Sequence, residues 1–467
     1  MSTEFSDPSD WFGQPRGLTV LFATEMWEKF SFYGMRALLV YYMTKSLAFS
    51  GETASMVYGF YTAFIYFTPI IGGAISDRWL RRRTGVIIGG AIMALGHFLM
   101  AFPALLFVAL GTIAIGNGFY LPNLPSQIDQ LYQPDDPRRQ STYNIYYVGV
   151  NLGAFIAPLV CGTLGEVYGW DYGFGAAGLG MCLGLAIYCL GSRWLPDEAS
   201  REHTMAGNDA PPASLVQSAG RLRALAGVFA CVVVFRGAYE QMGNSVALWA
   251  DTDVNRSVAG YLIPGSWFQS LNPLLVFALT PVLVAWWNRS AMRDRDVSPL
   301  QKMALGALGL ALAYLGLAGV VWFGHVSGAK PPALALAGFI GAYTLAELYI
   351  LPVGLGLFSQ FAPEGHRGTM VATWFLAAFF GNLLAGYLGS FWPTLPHTIF
   401  FALLGAIAMS AAAGLRLFDK PVREMARAIG GQDPTTQRPL HSEDRGRAPD
   451  IGLATDTLDR QNIFLKS

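Results

Sequence analysis

The sequence predicts an all-α membrane protein of twelve transmembrane helices in two groups of six, and three observations predict it. Of 467 residues, 53% are hydrophobic and 13% charged, about half the charged share of a soluble protein. Apolar runs long enough to cross a bilayer, about 20 residues each, recur twelve times between Gly17 and Leu417. Basic residues crowd into alternate connections between those runs, as the positive-inside rule requires.

The runs fall at 18–45, 56–76, 84–102, 104–128, 141–165, 172–191, 222–249, 266–287, 302–324, 333–360, 369–392 and 395–416. They are long and continuously apolar, whereas barrel strands would be short and alternating, so the spans are helices. With the N-terminus inside, the inner connections hold Arg78, Arg81, Arg82, Arg83, Arg138, Arg139, Arg193, Arg289, Arg293 and Lys302 among others, and the outer ones Lys45, Arg256 and Lys330. Both termini are therefore expected in the cytoplasm, and the bilayer is an inner or plasma membrane. Residues 1–17 read as a cytoplasmic segment without a cleavable signal pattern, 18–191 as a first six-helix bundle and 192–221 as a polar cytoplasmic linker. Residues 222–417 read as a second six-helix bundle and 418–467 as a disordered cytoplasmic tail. Lys+Arg and Asp+Glu are both 31, so charge indicates no nucleic-acid partner. Cys161, Cys182, Cys189 and Cys231 lie in apolar runs without ligand spacing, so no metal or cofactor is expected.

Ionisable groups inside a span cost several kcal/mol and are tolerated where they face a cavity or one another. The first span carries Glu25, Glu28, Lys29, Tyr33 and Arg36; at 100° per residue they share an arc of roughly 140° and run roughly 16 Å along the helix. The seventh span adds Arg236 and Glu240, spaced to pair along their own helix, and the tenth adds Glu347 with no basic neighbour within a turn. Four carboxylates thus face three cations. The excess carboxylate is the candidate proton carrier, since burial favours the neutral form of an unpaired acid.

Glu25-Met-Trp-Glu28-Lys29-Phe-Ser-Phe-Tyr33-Gly34-Met-Arg36, Tyr66-Phe-Thr-Pro69, Tyr146-Tyr147-Val-Gly-Val-Asn151-Leu-Gly153, Tyr239-Glu240-Gln241, Trp267-Phe-Gln269-Ser-Leu-Asn272-Pro273, Glu347 with Pro352-Val-Gly354, and Trp374-Phe375 with Gly381-Asn382 occur in this order. Together they resemble the proton-dependent oligopeptide transporter family of the major facilitator superfamily, across nearly all twelve spans. Gly72, Gly73, Asp77, Arg78, Arg81 and Arg82 are similar to the superfamily's loop after the second helix. The resemblance implies two six-helix bundles rocking about a central site, and a symporter importing di- and tripeptides, working as a monomer. It implies that Glu347 and Asn272 receive the peptide amino terminus and Arg36 its carboxylate. Tyr33, Tyr66 and Asn151 would hydrogen-bond the backbone, and Trp374 and Trp267 would line side-chain pockets. Proton coupling falls to Glu25, Glu28, Lys29 and Glu240, and Arg36 with Glu240 forms an outer gate.

Three features depart from the family pattern. Lys29 stands where Arg is usual, Leu121 where many members place Lys, and Arg236 where an aromatic residue is usual. Arg236 is expected to stand in partly for the cation missing at Leu121. The short polar linker also excludes the extra helical pair of many bacterial relatives. The alternatives are a related porter of nitrate, a drug or another organic solute, and, from another class, a membrane-embedded enzyme. Glu347 favours an amine-bearing solute. No nucleophile elbow, HExxH or Cys/His cluster supports an enzyme.

Overall fold

The computed structural model describes residues 10–11, 13–132, 136, 138–196, 215–258, 260–293, 297–360 and 367–430. The apolar runs fold as helices, the geometry that satisfies each backbone group internally where no water can. In chain order they are α1 (Arg16–Tyr41), α2 (Gly51–Trp79), α3 (Arg82–Leu99), α4 (Leu106–Asn123), α5 (Arg139–Thr163), α6 (Trp170–Gly191), α7 (Leu215–Tyr239), α8 (Ser245–Thr252), α9 (Leu271–Ala291), α10 (Pro299–Ser327), α11 (Ala333–Gln360), α12 (Arg367–Gly389) and α13 (His397–Gly430). Among the described residues, ten helical segments are long and apolar enough to cross a membrane, one of them spanning both α7 and α8. Of the other long helices, α1 carries Glu25, Glu28, Lys29 and Arg36, and α3 opens on Arg82 and Arg83.

Helix ends are set by local chemistry. Ser50 and Ser298 accept from the backbone N–H of Thr53 and Gln301 to cap α2 and α10, and Pro299 follows Ser298 at the first helical position. Gly328, at φ 68°, ends α10 in the left-handed conformation. The seventh span breaks: after α7, Glu240–Gly243 tightens to a 3-10 turn and α8 restarts beyond Asn244. Gln241 staples this break, donating to the carbonyl of Ala385 at 2.7 Å and accepting from Ser245 Oγ at 2.8 Å.

Within the first six helices, α1 lies against α5 and α6, and α4 against α2 and α3; in the second set, α10 lies against α11 and α13, and α7 against α12 and α13. The seam between the sets runs along α2 and α12 and along α5, α9 and the 3-10 turn Gly265–Ser270. Glycine makes the α2–α12 approach possible: a Cβ on Gly59 would sit 2.6 Å from the backbone nitrogen of Gly386 and 2.9 Å from the carbonyl of Asn382. The end of the seam bearing the α1–α2 and α5–α6 connections is tied by charges. Lys45 pairs with Asp251 at 2.7 Å, Asp251 with Arg256 at 2.8 Å, and Glu166 accepts from the N–H groups of Gly265 and Ser266 at 3.0 and 2.9 Å.

At the opposite end, β1 (Asp10–Trp11) and β2 (Gln14–Pro15) form a small antiparallel hairpin before α1. Asp10 pairs with Arg138 at 2.6 Å and Trp11 packs on Trp194 with ring centres 5.1 Å apart. Hydrogen bonds from Arg138 hold the nearby Asp136 carboxyl below its ordinary range. A second hairpin, β3 (Ser257–Val258) with β4 (Tyr261–Leu262), follows α8.

One expectation is corrected here. Residues 418–430, read from sequence as the start of a disordered tail, are helical and continue α13. Leu415 and Val422 are buried, Phe418 packs on Gly227, and Asp419 accepts from Ser298 Oγ at 2.5 Å and Gln301 Nε2 at 2.9 Å. The tail from 431 onward, and linker residues 197–214, lie outside the described residues; α7 begins at Leu215, inside the expected linker.

The α2–α12 contact generates a test. Gly59→Val forces side-chain carbon into backbone, an overpacking cost of about 1–3 kcal/mol, and lowers the melting temperature in detergent by about 3 °C or more. Gly316→Ala, where a Cβ meets nothing within 4 Å, leaves it unchanged.

Candidate functional site

The charged face of α1 divides into two stations. Nearer the N-terminus, Lys29 Nζ lies 3.2 Å from Glu25 Oε1 and 2.6 Å from Glu28 Oε2, with both carboxylates buried. Two acids share one base, so this station carries a formal charge of −1. Roughly 12 Å further along the helix, Arg36 donates from Nη2 to Glu240 Oε2 at 2.7 Å and from Nε to the Tyr58 hydroxyl at 2.7 Å. The other oxygen of Glu240 accepts from Arg236 Nη1 at 2.9 Å. One acid between two guanidiniums leaves +1 at this station, and the bond crosses the seam from α1 to the break after α7.

Glu347 occupies a third position, on α11. It accepts from Asn272 Nδ2 at 2.6 Å, and Asn272 also donates to Thr344 Oγ1 at 3.0 Å. Among the described residues no cation pairs with Glu347; the partner that bonds it, Asn272 of α9, is neutral. The single excess carboxylate counted from sequence is thus resolved into −1, +1 and −1 at three places.

A chamber of about 150 Å³ lies between the second and third of these. Its wall holds Tyr33 and Arg36 from α1, Tyr147 and Asn151 from α5, Tyr239 from α7, Gln269 from the 3-10 turn, Asn272 from α9, and Tyr343 and Glu347 from α11. The volume is below the roughly 300–1,000 Å³ of drug-sized ligand sites, so it suits a short solute. Positive charge at Arg36 and negative charge at Glu347 face one space walled by aromatic rings, which suits a molecule with an anionic and a cationic end.

Five residues expected to bind substrate or gate it therefore meet on the chamber wall: Tyr33, Arg36, Asn151, Asn272 and Glu347. Glu240 and Arg236 sit behind Arg36, and Arg236 also lies over the Tyr66 ring at 5.2 Å, so Tyr66 belongs to the arginine station and is not on the wall. The lysine station is likewise off the wall. Trp374 departs furthest from expectation: it is buried, packs on the Phe358 ring at 5.5 Å and abuts Gly354. Trp267 donates to Thr163 Oγ1 at 2.8 Å and acts in the seam. Leu121 is half-buried on α4 and is not on the wall either.

Sequence reasoning missed Tyr58 and Tyr343. Tyr343 stacks on Tyr239 with ring centres 4.8 Å apart and donates to the Tyr239 carbonyl at 3.0 Å; its signal was its place one turn before Glu347. Tyr58, two turns before Tyr66 on α2, gave none beyond being polar in an apolar run.

Comparison with known proteins gives consistent results. The chain matches the POT family over residues 83–210 and 212–400. It is 30% identical to a di-/tripeptide transporter of Lactococcus lactis subsp. cremoris, covering 89% of this chain and 97% of the relative. It is also 30% identical to the peptide transporter YePEPT of Yersinia enterocolitica, over 92% and 99% respectively. A crystal structure of a peptide transporter POT in complex with sulfate superposes with a TM-score of 0.80 at 29% identity, covering 89% of this chain and 96% of that one.

The lysine station is open to a stability test. Lys29→Met strands two buried carboxylates and costs about 3–5 kcal/mol, seen as a large fall in melting temperature in detergent. Adding Glu28→Gln to that variant recovers part of the loss, because it removes one stranded charge.

Proposed function

The chain belongs to the POT family, and we propose from that premise and from the chamber that it is a proton-coupled symporter importing di- and tripeptides by alternating access across an inner or plasma membrane. The carrying observation is the placement of Arg36 and Glu347 on one chamber wall with opposite charge and neutral aromatic surface between. A short peptide is a zwitterion whose charged ends are fixed and whose side chains vary. Glu347 with Asn272 takes the amino terminus, the arginine station takes the carboxylate, and Tyr33 and Asn151 offer hydrogen bonds to the backbone.

In this reading the twelve long helices form two six-helix bundles, with both termini in the cytoplasm, and the protein works as a monomer. The seam end tied by Lys45, Asp251, Arg256 and Glu166 then faces outward, and the Arg36–Glu240 bond is the gate beneath it. Opening to the outside requires that bond to break. A buried pair separates only if another partner replaces the lost one, and the peptide carboxylate can take Glu240's place at Arg36. Arg236 meanwhile keeps Glu240 paired, so the gate opens without leaving a bare carboxylate. This is the role assigned here to the cation at 236 in a chain with Leu121. Glu25, Glu28 and Lys29 carry the coupled proton.

Two measurements test the reading. Purified protein in liposomes takes up labelled dialanine when an inward proton gradient is imposed, and dipeptides and tripeptides compete while free amino acids do not. Uptake indifferent to the gradient would remove the coupling. Arg236→Gln lowers uptake as severely as Arg36→Gln, by about tenfold or more, since several kcal/mol are at stake when one arm of a buried charge cluster is lost; near-normal uptake by Arg236→Gln would reduce that residue to packing.

A further inference from the structure

Around the lysine station lies a set of buried hydroxyls that neither the chamber nor the gate uses. Thr24 is on α1 itself, Tyr61 on α2, Tyr120 on α4 and Tyr146 on α5; each is at most 8% exposed, the hydroxyls of Thr24, Tyr61 and Tyr120 have no hydrogen-bond partner, and that of Tyr146 is bonded to the Glu25 carboxylate. Tyr120 and Tyr146 act electrostatically on both Glu25 and Glu28, and Tyr61 on Glu28 and Arg36. None of these side chains is on the chamber wall.

A buried polar group without a partner costs about 1–3 kcal/mol, and native proteins answer such clusters with internal water bonded to several of them at once. Three tyrosine hydroxyls from three helices near a station of net negative charge, with Thr24 next to Glu25 in the chain, are hard to account for as packing alone. The polar trail also continues. Tyr120 acts on Tyr188 of α6, whose hydroxyl lies 3.0 Å from Gln127 Oε1, and Gln127 Nε2 donates to the carbonyl of Asn123 at the end of α4. Tyr188 and Gln127 are buried too.

We propose that Thr24, Tyr61, Tyr120 and Tyr146 line a water-holding recess through which protons pass between the Glu25–Lys29–Glu28 station and the α4–α5 connection, by a route inside the first helical set and separate from the peptide chamber. Each hop breaks one O–H bond on a carboxyl group or water and forms one on the next oxygen, so a proton leaves at the far end and nothing is oxidised or reduced. Lys29 and the five tyrosine and glutamine groups named are the polar partners facing the path from α1, α2, α4, α5, α6 and the α4–α5 connection. The inference rests on the symport reading and adds that the two cargoes take different exits.

The experiment uses Tyr120→Phe, Tyr146→Phe and the double variant in liposomes, with labelled dialanine and two readouts. Gradient-driven accumulation requires net proton movement, whereas counterflow exchange of peptide for peptide does not. The expected result is accumulation reduced about tenfold or more, with counterflow within about twofold of wild type and a melting temperature lower by no more than about 4 °C, because the net worth of one hydroxyl's hydrogen bonding is about 1 kcal/mol. Accumulation kept at the wild-type level, or accumulation and counterflow lost together, would overturn the separate route. Wild-type protein that failed to accumulate dialanine would instead overturn the symport reading on which it rests.

Discussion

The bond from Arg36 across the seam to Glu240 is the constraint on which the arrangement depends. It joins the first helical set to the second at the depth of the chamber through Nη2 of the guanidinium, while Nε donates to the Tyr58 hydroxyl. Because Glu240 stands where the seventh span breaks, the acid is carried by a short 3-10 turn and not by a continuous helix. That turn is itself anchored to α12 through Gln241. The charge at Glu240, the kink in the span and the α2–α12 contact are thus parts of one mechanical assembly.

In the proposed reading, the distribution of charge lets one chamber serve solutes that share little beyond their ends. A surplus positive charge at the arginine station and an uncompensated carboxylate at Glu347 are each unfavourable in a low-dielectric interior, and on that reading the same guest relieves both. The lysine station has a deficit of its own, which no peptide reaches from the chamber. In the proposed mechanism, two relief reactions, one by solute and one by proton, are thereby kept on separate groups of residues, while α1 links them physically.

Much of this was legible in the sequence, and the reasons differ by residue. The face from Glu25 to Arg36 could be read because charge in a span is expensive and helical spacing assigns it to one side. Glu347 stood out because nothing nearby on its helix could neutralise it, yet nothing in the sequence pointed to Asn272 of α9 as its partner except resemblance. Gly59 and Gly386, the break at Asn244 and the seam charges Glu166 and Asp251 were silent, since each acts through a contact between segments remote in sequence. Trp374 was misplaced because an aromatic residue in a span packs as readily as it lines a pocket. Residues 418–430 were misread because polar composition outweighed the apolar Leu415, Phe418 and Val422 at helical spacing, of which Leu415 and Val422 are buried and Phe418 half-buried.

The extension of α13 has a consequence for how the second helical set can move. Asp419 clasps the first turn of α10 through Ser298 and Gln301 and is braced by Arg423 one turn on. The last helix is thereby buttoned to the foot of its neighbour at one end of the molecule, and the two are also packed along their length. Any rocking of the second half must carry α10 and α13 as a single plank, and flexing is left to the helices nearer the chamber.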